Sequence, residues 1–167
     1  MKNIFFIGFM GSGKSTVSKR LGEILGLEVI EMDQQIEKDE GMKISDIFAE
    51  KGEPYFRNCE TNLLKSCATG KERIISCGGG VAMREENVEV MHQYGTVVLL
   101  TATAEVILNR VKDSDERPLL QGKKNTKDIQ ELMDQRKPKY EAAADVTIDT
   151  SALTVEEICQ EIIKKIS

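Results

Sequence analysis

The chain has 167 residues, a net charge of −5, 40% hydrophobic residues and 31% charged residues. That balance fits one soluble globular domain large enough to bury a substantial core. An acidic chain with three tyrosines and no tryptophan argues against a nucleic-acid surface, and no apolar run approaches the length of a membrane span.

Met1-Lys2-Asn3 leads into a short apolar run with no small-residue cleavage site, so no export signal is expected and the protein reads as cytoplasmic. Ile4-Phe5-Phe6-Ile7 reads as a strand buried on both faces. It runs into Gly8, Gly13, Lys14 and Ser15, which fill the pattern G-x-x-x-x-G-K-[ST]. In such a loop Gly8, Gly11 and Gly13 free the backbone so that successive N–H groups turn inward onto phosphate oxygens. Lys14 then reaches the β- and γ-phosphates, and the Ser15 hydroxyl ligates Mg²⁺. From Lys14 the pattern becomes helical, with Val17, Leu21, Ile24 and Leu25 on one face. Its N-terminus adds partial positive charge beneath the phosphates.

"LEVIEMD" is a short strand ending in Glu31 and Asp33, two residues apart and therefore on one side of an extended chain. One acid suits a metal, the other a substrate hydroxyl. A helical stretch follows, with Gly41, Gly52 and Gly70 as stops. In "GEPYFRNCE", Pro54 can start a helix that sets Arg57 and Glu60 one turn apart. From spacing alone a surface ion pair is the slightly favoured reading of those two. "ERIISCGGG" is a strand running into Gly78, Gly79 and Gly80. Three glycines exceed the needs of a turn and would let a substrate pack on bare backbone.

"REENVEVMHQYG" is helical and holds His92, the sole histidine, so a His-based triad and a His-rich metal site are both unavailable. "TVVLLTA" is a buried strand, and "TAEVILNRVKD" a helix with Thr103 as its cap. The polar "DSDERPLLQGKKN" suits a mobile flap that carries Arg117 toward phosphate on closing. "MDQRKPKY" sets Arg136 near a helix end, where its role is ambiguous. "DVTID" is the last strand. Thr154 and Glu157 then form a capping box for a helix striped by Val155, Ile158, Cys159, Ile162, Ile163 and Ile166. Cys59, Cys67, Cys77 and Cys159 form no C-x-x-C pair and read as thiols in a reducing cytosol.

Five strands separated by helices imply an α/β fold, a parallel sheet with helices on both faces that binds ligands beyond the strands' carboxyl ends. No Asn precedes Lys, so the guanine-reading N-K-x-D motif is missing, and no apolar strand ends in Asp-Glu. Of the strand ends, "VIEMD" supplies the carboxylates, which points to a small-molecule kinase.

Together these motifs resemble the shikimate kinase family nearly end to end. The family's P-loop matches Gly8 to Thr16, which includes Gly11 and Ser12 on the ATP side, and its strand-end Asp matches Asp33. "GE-x-x-FR-x-x-E" matches Gly52, Glu53, Phe56, Arg57 and Glu60; the triple glycine matches Gly78 to Gly80. "RPLL" matches Arg117 to Leu120, and "R-x-P-x-Y" matches Arg136, Pro138 and Tyr140.

The resemblance implies a three-layer P-loop kinase domain, strand order 2-3-1-4-5, with a substrate-binding insertion about 33–60 and a lid about 112–125. It further implies a usually monomeric enzyme that moves the ATP γ-phosphate to the 3-hydroxyl of shikimate with Mg²⁺. Lys14, Asp33 and Arg117 are then the catalytic residues, and Arg57 and Arg136 bind the substrate carboxylate. Glu60 and Gly78 to Gly80 complete the substrate side, and Arg110 stacks on the base. Glu31 stands where the family usually has Asp, a residue that holds a magnesium-bound water. The loop "IDTSALT" lacks the Arg and Pro that some relatives carry on the adenine side. Another polyol-acid kinase, such as one for gluconate, and a non-catalytic nucleotide switch remain as alternative readings.

Overall fold

The computed structural model describes residues 2–111 and 126–166. The expected lid, with Arg117 and Pro118, lies outside the described residues. Five parallel strands form one sheet in the order β2-β3-β1-β4-β5: β1 Asn3–Ile7, β2 Glu28–Glu31, β3 Arg73–Ser76, β4 Gly95–Thr101 and β5 Val146–Asp149. Between them run α1 Lys14–Leu25, α2 Met32–Glu40, α3 Ile44–Lys51, α4 Glu53–Cys67, α5 Glu85–Tyr94, α6 Ala104–Val111, α7 Thr126–Ala143 and α8 Val155–Ile166.

The period of two along each strand divides the core into two layers. Phe5, Ile7, Val97 and Leu99 join the layer packed beneath α4, α5, α6 and α7. Ile4, Phe6, Val98 and Leu100 face α1 and α8 on the other side. Neither face of β1 or β4 meets water, which is why both read as unbroken apolar runs. Each fully buried side chain of this size contributes roughly 1.5–3 kcal/mol of transfer free energy. Ile36, Ile44, Ile47 and Phe56 form a separate small cluster that holds α2, α3 and α4 together.

Three local features differ from the expectations. Leu25 is 38% exposed, and Ser18 and Gly22 share the buried face of α1 with Val17 and Leu21. A Cβ on Gly22 would lie 3.1 Å from the Leu27 carbonyl, so close approach to the following turn selects the glycine. The second strand ends at Glu31, because Met32 buries completely and already begins α2. Helix α7 runs through Pro138, so Arg136 sits well inside it and not near its end. A proline there removes one ladder hydrogen bond and costs about 3 kcal/mol. Burial of Ile129, Tyr140 and Ala143 from the same helix offsets that loss.

Thr103 accepts from the N–H of Val106 at 3.3 Å, as a cap should. His92 is exposed, and its Nε2 lies 2.8 Å from the Ala143 carbonyl. The four cysteines are unbridged, three of them buried. No described helix is long and apolar enough to cross a membrane.

The capping box at α8 is formed in both directions. Thr154 N–H donates to Glu157 Oε1 at 2.9 Å, and Glu157 N–H donates to Thr154 Oγ1 at 3.1 Å. Thr154→Ala should therefore destabilise the protein by about 1 kcal/mol. Urea unfolding of the two proteins side by side measures it; unchanged midpoints would mean that α8 is held by its apolar stripe alone.

Candidate active site

Beyond the carboxyl end of β1 the chain turns through Gly8, Gly11 and Gly13, all with positive φ. Gly13, at φ 103°, is the N-cap of α1, so a conformation that side chains resist stands at the mouth of the helix. Several side chains hold this loop. Lys14 Nζ donates to the carbonyls of Gly8 at 2.7 Å and Phe9 at 3.1 Å. Arg110 Nη1 donates to the Gly11 carbonyl at 2.7 Å, and Thr150 Oγ1 to the Ser12 carbonyl at 2.9 Å. Ser12 itself is buried; its N–H donates to the Phe9 carbonyl at 3.1 Å, and its side chain lines a separate cavity of about 350 Å³ behind the loop.

In front of the loop lies a cleft of about 500 Å³. Gly11, Gly13, Lys14, Ser15 and Thr16 form one end of it, and Arg110 also lines it. Glu31, Asp33, Gly78 and Gly79 line the opposite wall. Ser15 Oγ donates to Glu31 Oε2 at 3.0 Å, which joins the hydroxyl and the carboxylate expected at a metal. Asp33 reaches the cleft from the first turn of α2, where the helix dipole favours a negative charge, and not from an extended strand.

Gly78, Gly79 and Gly80 follow β3 directly, and each leaves room for a different charged group. A Cβ on Gly78 would lie 2.8 Å from both Asp33 Oδ1 and Glu60 Oε2; one on Gly79 would lie 3.0 Å from Arg136 Nη1. A Cβ on Gly80 would fall inside the Arg57 guanidinium. The missing side chains thus let two acids and two arginines converge on one strand end.

The Arg57–Glu60 pair exists, at 2.8 Å, but it is not a surface pair: Glu60 is 1% exposed and Arg57 18%. Glu53 holds the other side of the guanidinium at 3.0 Å, and the rings of Phe48 and Phe56 lie within 5.9 Å of it. Arg136 lies 5.6 Å from the Phe9 ring centroid. Glu60 Oε2 and Arg136 Nη1 are two of five buried side-chain polar atoms without a hydrogen-bond partner among the described residues. Such atoms are costly unless a ligand completes them. The arrangement suits a small hydroxylated acid, with its carboxylate on the guanidinium side and its hydroxyls on the carboxylate side.

Burial pushes the Glu60 carboxyl up to about 7, with Asp33 adding to the rise and Arg57 opposing it. The residues that the sequence did not single out include Gln34, Glu37 and Ile44, which also line the cleft. Glu37 lies one helical turn beyond Asp33, so spacing on α2 carried a signal for it; its Oε2 accepts from the N–H of Ile44 at 2.8 Å. Among the described residues no cluster of three or more His, Cys, Asp or Glu side chains is placed to hold a metal by itself.

A family model described as shikimate kinase matches residues 10–167. The shikimate kinase of Persephonella marina is 47% identical over 99% of this chain and 99% of its own length. That of Bacillus cytotoxicus is 41% identical over 100% and 99%. A solved shikimate kinase from Acinetobacter baumannii, in complex with shikimate, superposes with a TM-score of 0.94 at 35% identity, covering 99% of this chain and 93% of that one. A gluconokinase from Sinorhizobium meliloti reaches a TM-score of 0.62 at 19% identity, over 98% and 90%, which is a likeness of fold alone.

The raised Glu60 pKa has a consequence for stability. A carboxyl that binds its proton more tightly folded than unfolded favours folding below its unfolded value near 4.5. That contribution is lost as pH rises through the folded value of about 7. Unfolding free energies measured from pH 4.5 to 8 should fall more steeply for the native protein than for Glu60→Gln. Parallel profiles would remove Glu60 as the titrating group.

Proposed function

The chain belongs to the shikimate kinase family, ATP-dependent phosphotransferases that act on shikimate, and from that premise we propose how its own residues divide the reaction. Transfer of a γ-phosphoryl group needs little covalent help from protein; it needs alignment and neutralised charge. Lys14 and the amides of the loop hold the phosphates of ATP. Ser15 would hold Mg²⁺ among those phosphates, with Glu31 acting through a water. Their oxygen donors, 3.0 Å apart at the cleft, are the hard ligands that ion takes. When bound, Mg²⁺ supplies positive charge against the phosphate oxygens.

Asp33 orients the 3-hydroxyl of shikimate and accepts its proton. Arg57 and Arg136 bind the carboxylate at the far end of the ring, and Gly78 to Gly80 offer backbone beneath it. Residues 33–60, which include α2, α3 and much of α4, serve as the substrate-binding insertion of a single domain. Arg110 stacks on adenine; its place on the cleft wall beside Gly11 supports that role. The observation that carries the reading is the convergence of Asp33 and Arg136 on Gly78 and Gly79, which sets a base and an anion site on one strand end.

ADP release coupled to a spectroscopic readout, with and without shikimate, is the direct test. Turnover should require shikimate, and gluconate should not replace it. Asp33→Asn should lower kcat by about a hundred-fold or more while the KM for ATP changes little. Shikimate-independent ATP loss, or normal turnover by Asp33→Asn, would defeat the reading.

Gly80→Ala tests the clamp without touching a charge. Its methyl group occupies the place of the Arg57 guanidinium, so the arginine must leave its position. Shikimate affinity should fall by roughly ten- to a hundred-fold, the worth of a charge-assisted hydrogen bond. ATP affinity should hold, and calorimetry with each ligand separates the two. Unchanged shikimate affinity would free Arg57 of a binding role.

A further inference from the structure

The glycine segment after β3 is tied down from behind by side chains of two helices. Tyr140, on α7 one turn beyond Arg136, donates its hydroxyl proton to the Gly79 carbonyl. Asn87 Nδ2, on α5, donates to the Val81 carbonyl at 3.0 Å. Lys139 Nζ donates to the Met83 carbonyl at 3.0 Å. The Tyr140 tether differs from the other two in what it orients.

There are no cis peptide bonds among the described residues. In a planar trans peptide the C=O of one residue and the N–H of the next point in opposite directions. A hydroxyl that draws the Gly79 carbonyl toward α7 therefore turns the Gly80 N–H away from α7. Gly80 is buried, and its flank is occupied by the Arg57 guanidinium. Its N–H has no hydrogen-bond partner among the described residues. A buried donor without an acceptor is uncommon and costly, and a ligand oxygen is the natural partner.

We propose that Tyr140 is a positioning residue for substrate: its hydroxyl locks the Gly79–Gly80 peptide so that the Gly80 N–H presents to an oxygen of the acidic substrate beside Arg57. Tyr140 is 5% exposed, so its ring packs in the core while its single polar atom reaches the site's backbone. Without that bond the peptide is free to rotate, and the lost alignment falls on substrate binding. The phosphate loop, anchored separately by Lys14, Arg110 and Thr150, is unaffected. The inference rests on the substrate site proposed above.

Tyr140→Phe removes one oxygen and keeps the ring. The variant should show a KM for shikimate raised about two- to ten-fold, the worth of one neutral hydrogen bond. Its KM for ATP should stay within about two-fold. Lys139→Met is the control, since it cuts a neighbouring tether of the same segment without acting on the Gly79–Gly80 peptide. Its KM for shikimate should match that of the native protein. An unchanged shikimate KM in Tyr140→Phe overturns the proposal. So does an equal rise in Lys139→Met, or a parallel rise in both KM values of Tyr140→Phe, because either marks general loosening. If the native protein itself fails to phosphorylate shikimate, the substrate site falls, and this role falls with it.

Discussion

Three consecutive positions without a Cβ are the constraint on which the substrate side depends. Four ionisable side chains from three helices, Asp33, Arg57, Glu60 and Arg136, approach the same strand end, and each occupies space that a methyl group at Gly78, Gly79 or Gly80 would deny it. Of these, Arg57 and Glu60 pair directly, and removing either would strand the other in a poorly solvated site. The glycines are not there for unusual backbone angles, since none of the three has positive φ. They are there for clearance.

The loop after β1 obeys a different constraint, that of backbone direction. Its glycines do take positive φ, and the loop so formed is held from outside by Arg110 and Thr150. Thr150 also donates its backbone N–H to the Thr101 carbonyl at 2.7 Å, so it fastens the loop to the end of β4 as well. Parallel strand order makes this possible: β1 lies between β3 and β4, so the loop after β1 has the glycine segment on one side and its anchors on the other.

Much of this was legible in the chain. The P-loop pattern, the buried strands and the α8 capping box are local signals, and local signals survive folding. Asp33 lines the cleft as expected though from a different setting, because a helix start and a strand end can present a side chain to the same space. Arg57 and Glu60 were misjudged as to burial: their spacing gives a pair, but only the packing of α4 over the glycine segment takes that pair out of water. Arg136 was ambiguous from its local pattern, and only the family resemblance gave it a role; it was set near a helix end, but tertiary packing carries α7 on through Pro138. Tyr140 and Thr150 act on backbone carbonyls distant in sequence, and no pattern of residue types announces such a contact.

The resting position of Lys14 sets a threshold on what can enter the loop. Two of its ammonium protons go to carbonyls of its own loop, so a molecule that draws the group away must offset those two bonds. A phosphate anion offers a charge-assisted bond stronger than one to a neutral carbonyl. On the proposed reading, the latch therefore yields to anions ahead of neutral molecules of the same shape.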